Sequence, residues 1–134
     1  MAGEGGEGSG PKVRSIEEGA EDFLRVNRAP REIEADWNDW INRSGSEVWA
    51  RPGLSRAQRS LITISILSVL RVEGPLRVLV EAGVADGLSR QEIGVTILHG
   101  AVCAGVPLAL RSMLFAYVVF VGLERAGRVG GGVW

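Results

Sequence analysis

Gly87-Leu-Ser-Arg-Gln-Glu-Ile-Gly-Val-Thr-Ile-Leu-His-Gly-Ala-Val-Cys-Ala-Gly-Val-Pro107 holds the only histidine and the only cysteine of the chain, and its reading decides the fold. Ser89-Arg-Gln-Glu92 has capping-box spacing, in which a hydroxyl and a carboxylate bond the N–H groups left unpaired where a helix starts. Gly105-Val-Pro107 supplies the stop. At about 100° per residue, Glu92, Thr96, His99 and Cys103 fall on one polar stripe, and Ile93, Ile97 and Ala101 on an apolar face opposite. That face is expected to point into a core. Apolar chain on both sides of the helix makes the stripe expected to line a cavity rather than to face water.

Toward the N-terminus, Leu76, Leu79, Val80, Gly83 and Val84 recur at i, i+3, i+4, i+7 and i+8 between Gly74-Pro75 and the stop Asp86-Gly87, which predicts another helix. Before it, Ser55-Arg-Ala-Gln58 is a second capping box and opens a helix to about Arg71. Its segment Leu61–Leu70 is apolar on most sides. β-Branched residues there would also suit a buried strand, but the cap, the length and the helical neighbours favour a central helix. Ser46 to Leu54, with Trp49, Pro52 and Gly53, reads as an ordered connection. Two amphipathic helices precede it. One starts at Ser15 and ends at Pro30; the other runs from about Arg31 through Ile33, Trp37, Trp40 and Ile41 to the breaker Asn42-Arg-Ser-Gly45. Trp37 and Trp40 read as packing residues.

Toward the C-terminus a sixth helix runs from about Pro107 to Glu124 or Ala126. Val106–Leu123 is mostly apolar and long enough to span a bilayer, although Pro107, Arg111 and Ser112 interrupt it and Leu61–Leu70 is too short to be a partner span. A helix buried all round, partly against another subunit, is the expectation, and with it a homo-oligomer. The sum is an all-α chain: a single compact six-helix bundle over residues 15–126, with a glycine-rich disordered tail over 1–14 and a flexible tail over 127–134.

Composition narrows the function. Fifteen basic residues against 16 acidic ones provide no long-range field for nucleic acid or an acidic membrane. One His and one Cys are too few for a structural metal site from a single chain, and one cysteine forms no internal bridge. No apolar signal-peptide core is present near the N-terminus. A reducing, cytoplasmic setting is expected.

Trp49-Ala-Arg-Pro-Gly-Leu-Ser-Arg-Ala-Gln-Arg-Ser-Leu-Ile-Thr63, with its Trp-x-Arg-Pro-Gly-Leu segment followed by Arg-Ser-Leu, resembles the carboxymuconolactone decarboxylase family. The resemblance continues through Gly87–Ile93, Leu98-His99 and Ala104-Gly-Val-Pro107, and covers roughly residues 13–125. It implies a compact all-α fold, rings such as trimers or hexamers, a distant relation to alkylhydroperoxidase-type proteins, and cofactor-free decarboxylation. Departures lie at pocket positions. Leu76-Arg77-Val78-Leu79 stands where the family has Leu-Arg-x-His, Ala85-Asp86-Gly87 where it has Asn-Asn-Gly, Cys103 where it has Tyr, and Leu110 where it has Asn.

Loss of carbon dioxide from a γ-carboxy lactone needs the carboxylate held, the developing oxyanion stabilised and a proton delivered to carbon. Arg59 is the candidate anion contact, since guanidinium offers parallel donors to a carboxylate; a salt bridge to Glu92 is the competing reading. Arg56, one turn earlier, is expected at the solvent side. His99 has the side chain suited to proton transfer near neutral pH, and the resemblance aligns it with the family's histidine on this helix. Glu92 is either a third catalytic group or only the cap partner of Ser89. Trp49, Thr63, Leu79 and Cys103 are the candidate substrate contacts. Cys103 lacks the second thiol of a Cys-x-x-Cys redox pair and reads otherwise as a small buried hydrophobe, as Trp49 reads as a core anchor. Two functions follow as expectations: a lyase acting on a carboxylated lactone or cyclic keto acid of a biosynthetic pathway, or a relative without chemistry that binds or scaffolds.

Overall fold

The computed structural model describes residues 13–128, and among them it contains six helices and no strand. They are α1 (Ile16–Val26), α2 (Glu34–Trp49), α3 (Arg56–Leu70), α4 (Glu73–Ala85), α5 (Arg90–Ala104) and α6 (Val106–Arg125). The start signals read from the sequence act as expected. Ser55 and Gln58 cap α3 reciprocally, and Ser89 and Glu92 do the same for α5. Ser15 accepts from the Glu18 N–H at the head of α1.

The core sits where α3, α4, α5 and α6 meet, around Ile64, Leu76, Val80, Ile93, Ile97 and Phe120, each at most 1 % exposed. α3 packs on α4, α5 and α6, but its apolar surround is covered on one side only: Ile62, Ile66, Val69 and Leu70 are 38 to 63 % exposed, unlike the all-round burial expected of a central helix. Of its two buried serines, Ser68 donates to the Ile64 carbonyl at 2.7 Å whereas Ser60 Oγ has no partner among the described residues, and Ser112 of α6 donates to the Ser68 carbonyl at 3.1 Å. That bond fixes which side of α6 faces inward, with Ala116, Val119, Phe120 and Leu123 on the same side. α6 is long and apolar enough by length and composition to cross a membrane, with a mean hydropathy of 1.9. Its outer side carries Leu110, Leu114 and Val118, all more than half exposed.

α1 lies on α4 at close range. A Cβ on Gly19 would stand 2.9 Å from Val78 Cγ1, and one on Gly74 would stand 2.7 Å from Phe23 Cε2, so both positions need the missing side chain. Arg56 is exposed at the solvent side, as expected, yet it is paired. Its guanidinium bonds Glu17 at 2.8 and 2.9 Å and lies 3.5 Å from Asp86, stapling α1 to the start of α3 and the end of α4.

α2 departs from expectation. It runs through Gly45 to Trp49, so Ser46–Trp49 is helix rather than connection. An exposed glycine costs a helix only about 1 kcal/mol, and Ser46 Oγ finds the Arg43 carbonyl at 3.1 Å without leaving helical geometry. None of its 16 residues is buried, and it has no extended packing against any other helix. Trp37 and Trp40 lie 6.0 Å apart, 42 and 57 % exposed, packed on each other rather than on a core. Only Trp49, at the foot of α2, reaches the core cluster.

The tails expected over 1–14 and 127–134 fall mostly outside the described residues, but Arg14 and Arg128 do not behave as loose chain. Arg14 gives Glu81 bonds from its backbone N–H at 3.2 Å, from Nε at 2.9 Å and from Nη2 at 2.8 Å, and a further one to Asp22 at 2.8 Å. Arg128 Nη1 reaches the same Glu81 carboxylate at 3.1 Å. Burial pushes the Glu81 carboxyl up, but the bonds from Arg14 and the charge of Arg128 outweigh it and hold it below the ordinary carboxylate range. A carboxyl lowered in the folded state stabilises above its unfolded pKa, and that contribution is lost as pH falls toward the folded value. Glu81→Gln is therefore expected to cost about 2–3 kcal/mol near neutral pH, less than the 3–5 typical of breaking a fully buried pair, because the arginine side chains are 31 and 33 % exposed. Urea midpoints from pH 3 to 7 test this. The variant should lose its largest margin at neutral pH and converge on the parent in acid.

Candidate active site

α5 carries the stripe read from the sequence, and it faces outward. Ile93, Ile97 and Gly100 are the buried residues of α5, Gly100 close enough that its Cβ would lie 3.8 Å from Val69 of α3. Glu92, His99 and Cys103 are therefore exposed on the far side, with Thr96 partly covered. Cys103 is not the buried hydrophobe expected. Ile93 and Ile97 face inward as expected, but Ala101, expected with them, is only partly covered and lines the outer groove; that side also carries Val95, Leu98 and Val102, an apolar set that was missed. Residues 95, 98, 102 and 106 repeat at helical spacing, the signal that could have shown it.

His99 lies in a shallow apolar groove of about 420 Å³ lined by Val95, Leu98, Ala101, Val102 and Val106, all from α5 and the first residue of α6. A proton donor in such a place has apolar walls on one side and solvent on the other.

Glu92 sits about 10 Å along the α5 axis from His99, at 1.5 Å per residue. Its Oε2 accepts from the Ser89 N–H at 2.8 Å, and its own N–H donates to Ser89 Oγ at 3.1 Å. This is the cap role. The alternative salt bridge to Arg59 is not formed: Arg59 Nη2 instead donates to the Arg51 carbonyl at 2.7 Å, closing the α2–α3 connection. Arg59 Nε is buried and has no hydrogen-bond partner among the described residues. Thr63, one turn on, spends its hydroxyl on the Arg59 carbonyl at 2.8 Å. Trp49 is partly buried against the core cluster and precedes by two residues the Arg51 carbonyl that Arg59 bonds. Arg59, Thr63 and Trp49 thus form one neighbourhood at the N-terminal half of α3, and His99 and Cys103 another beside its C-terminal end.

Leu79 belongs to neither. It is 7 % exposed within the core cluster, packed among residues such as Ile64, Leu76 and Val80. Leu110, on the first turns of α6, is 64 % exposed. Among the described residues no group of three His, Cys, Asp or Glu side chains is placed to hold a metal ion.

The helical order and the placement of this stripe can be set beside known proteins. The chain is 35 % identical over 118 residues to 4-carboxymuconolactone decarboxylase of Acinetobacter baylyi, covering 87 % of this chain and 88 % of that protein. It is 27 % identical over 99 residues to nitrosuccinic acid decarboxylase of Metarhizium robertsii, covering 74 % of this chain and 65 % of the relative. The profile of the carboxymuconolactone decarboxylase family matches residues 35–117, from the first turn of α2 to the middle of α6. On the extent of that match and the all-helical architecture, the chain belongs to the carboxymuconolactone decarboxylase family.

Proposed function

We propose that the protein is a cofactor-independent decarboxylase whose substrate is a small carboxylic acid, its carboxyl carried on a carbon that can pass an electron pair to an oxygen-terminated acceptor. The observation that carries this is the similarity to 4-carboxymuconolactone decarboxylase over nearly the whole length of both chains. The second relative supports the wider class. Carboxymuconolactone and nitrosuccinic acid have different skeletons, yet in each a carbonyl or a nitro group can take up the electrons left by departing carbon dioxide.

In the reaction the carbon–carboxyl bond breaks, carbon dioxide leaves, and the pair delocalises onto oxygen before a proton returns to carbon. His99, exposed in an apolar groove, is the group we assign to that proton. Arg59, with a buried donor still unused, is the group we assign to the carboxylate; because Arg59 and His99 of one subunit lie toward opposite ends of α3, the two that meet at one substrate come from different copies of the chain. Glu92 serves His99 through the helix start that it caps, and Trp49, Thr63 and Cys103 border the two neighbourhoods. We further propose a homo-oligomer, a trimer or hexamer, working in the cytoplasm; the apolar outer sides of α5 and α6 support assembly, since a monomer seldom leaves so wide an apolar patch to water.

Carbon dioxide release from a panel of carboxylated lactones, cyclic keto acids and nitro acids tests the reading. Turnover of at least one is expected, with 4-carboxymuconolactone a poor substrate because Leu79 stands where the family has a pocket histidine. No release from any of them by a correctly assembled protein would favour the binding or scaffolding alternative.

A further inference from the structure

We propose that α2 is an exchanged arm, which leaves its own subunit and lays Trp37 and Trp40 on the α5 groove of a second copy, covering that copy's His99. Three observations lead there. α2 is a 16-residue helix without one buried residue. Helices of that length are marginal alone in water, and a pair of tryptophans on one of them is a large apolar load with nothing among the described residues of its own subunit to cover it.

The groove has the opposite defect. Val95, Leu98, Val102 and Val106 are 55 to 83 % exposed, and every residue lining the groove comes from α5 or the first turn of α6, so among the described residues it has a floor and no roof. The third observation is the root of the arm. α2 joins the bundle through Trp49 and the Arg51–Arg59 bond at the N-terminal end of α3, whereas the His99 end of α5 lies beside Val69 near the other end of α3. The ten residues from Arg59 to Val69 span about 15 Å, and in its own subunit α2 does not line the groove. A second copy supplies both missing parts at once: its arm meets this groove, and its groove meets this arm. Such reciprocal contact is what a two-fold interface requires, so of the two assemblies proposed above it takes the hexamer, built of paired subunits, rather than the trimer.

The inference deepens the proposed function, because it rests on His99 being the proton donor of that site. An apolar roof would exclude water from a group that stands open in the lone subunit, and a dry site strengthens the interactions that steer charge during the reaction.

The first test does not depend on activity. Cys103 is the only cysteine and lies exposed one turn past His99. In Ser44→Cys, whose new thiol lies one turn past Trp40 on the face the two tryptophans share, a short bismaleimide is expected to yield a dimer-sized product that neither the parent nor Ser44→Cys/Cys103→Ser forms. A link confined within one chain, or no link to Cys103, would overturn the proposal.

The second test reads the site. Trp37→Ala/Trp40→Ala keeps His99 but loses the arm; His99→Ala keeps the arm but loses the donor. Co-expressed with separate tags, the two inactive variants are expected to regain about a quarter of parental turnover, the share of sites in a random mixture that join a sound groove to a sound arm in a symmetric oligomer. Assembled mixtures with no recovery, while parent and His99→Ala mixtures stay active, would show that each arm serves only its own subunit. Should no substrate be turned over at all, the decarboxylase reading fails and the cross-link still judges the arm.

Discussion

His99→Ala is expected to lower decarboxylation by a hundredfold or more at saturating substrate, since general acid–base groups typically contribute about 10²–10⁴. The loss should fall on turnover and leave folding untouched, because the imidazole is exposed and no core residue packs on it. Arg59→Ala should fail differently. If its guanidinium holds the substrate carboxylate, KM rises along with the fall in kcat, and kcat/KM suffers more than kcat alone. Steady-state kinetics of the two variants, with circular dichroism to verify folding, separates these roles. Native turnover in His99→Ala would remove the histidine from the chemistry, and a purely structural Arg59 would show itself as lost stability with unchanged KM.

Leu79→His is expected to destabilise the protein by about 3–6 kcal/mol, the sum of lost apolar burial at about 2–3 kcal/mol and an unpaired buried imidazole at about 1–3 kcal/mol. That is a large part of the 5–15 kcal/mol that holds a typical domain together. Putting the family's histidine back therefore does not restore a pocket. At this position α4 faces the core rather than the groove beside His99, and Gly83, one turn on, is hemmed in by Leu88, Ile64 and Ile93 at 3.0 to 3.7 Å from where a Cβ would stand. Urea denaturation reads the cost directly. A stable variant that gained 4-carboxymuconolactone turnover would mean that the core has room for the family's residue and that substrate reaches it.

These expectations depend on how far residues reveal their surroundings. The start signals of α1, α3 and α5 were legible because each is a local exchange between a serine hydroxyl and an N–H three residues on. The core of α4 was legible for a similar reason, its apolar repeat matching the turn of the helix. Gly45 misled because glycine weakens a helix without ending it when neighbouring bonds hold. At the site, the angles around α5 correctly separated Ile93 and Ile97 from His99 and Cys103, but periodicity fixes only the relation between two faces. It does not say what covers the second one. Arg59 and Glu92 went the same way: both offer charge, and each finds its partner a few residues off in its own chain, at Arg51 and Ser89, before any long-range pairing is needed.

The grip of Glu81 on Arg14 and Arg128 has a topological consequence. Two arginines bonded to one carboxylate bring the first and last turns of the described fold to one spot on the surface, although 114 residues of chain separate them. The path is close to a closed loop. A short linker joining those two points, with new ends cut in the exposed Arg51–Ser55 connection, would give a circular permutant that keeps every helix of the core and frees the foot of α2, so that arm and bundle could be made, and mixed, as ends of the same chain.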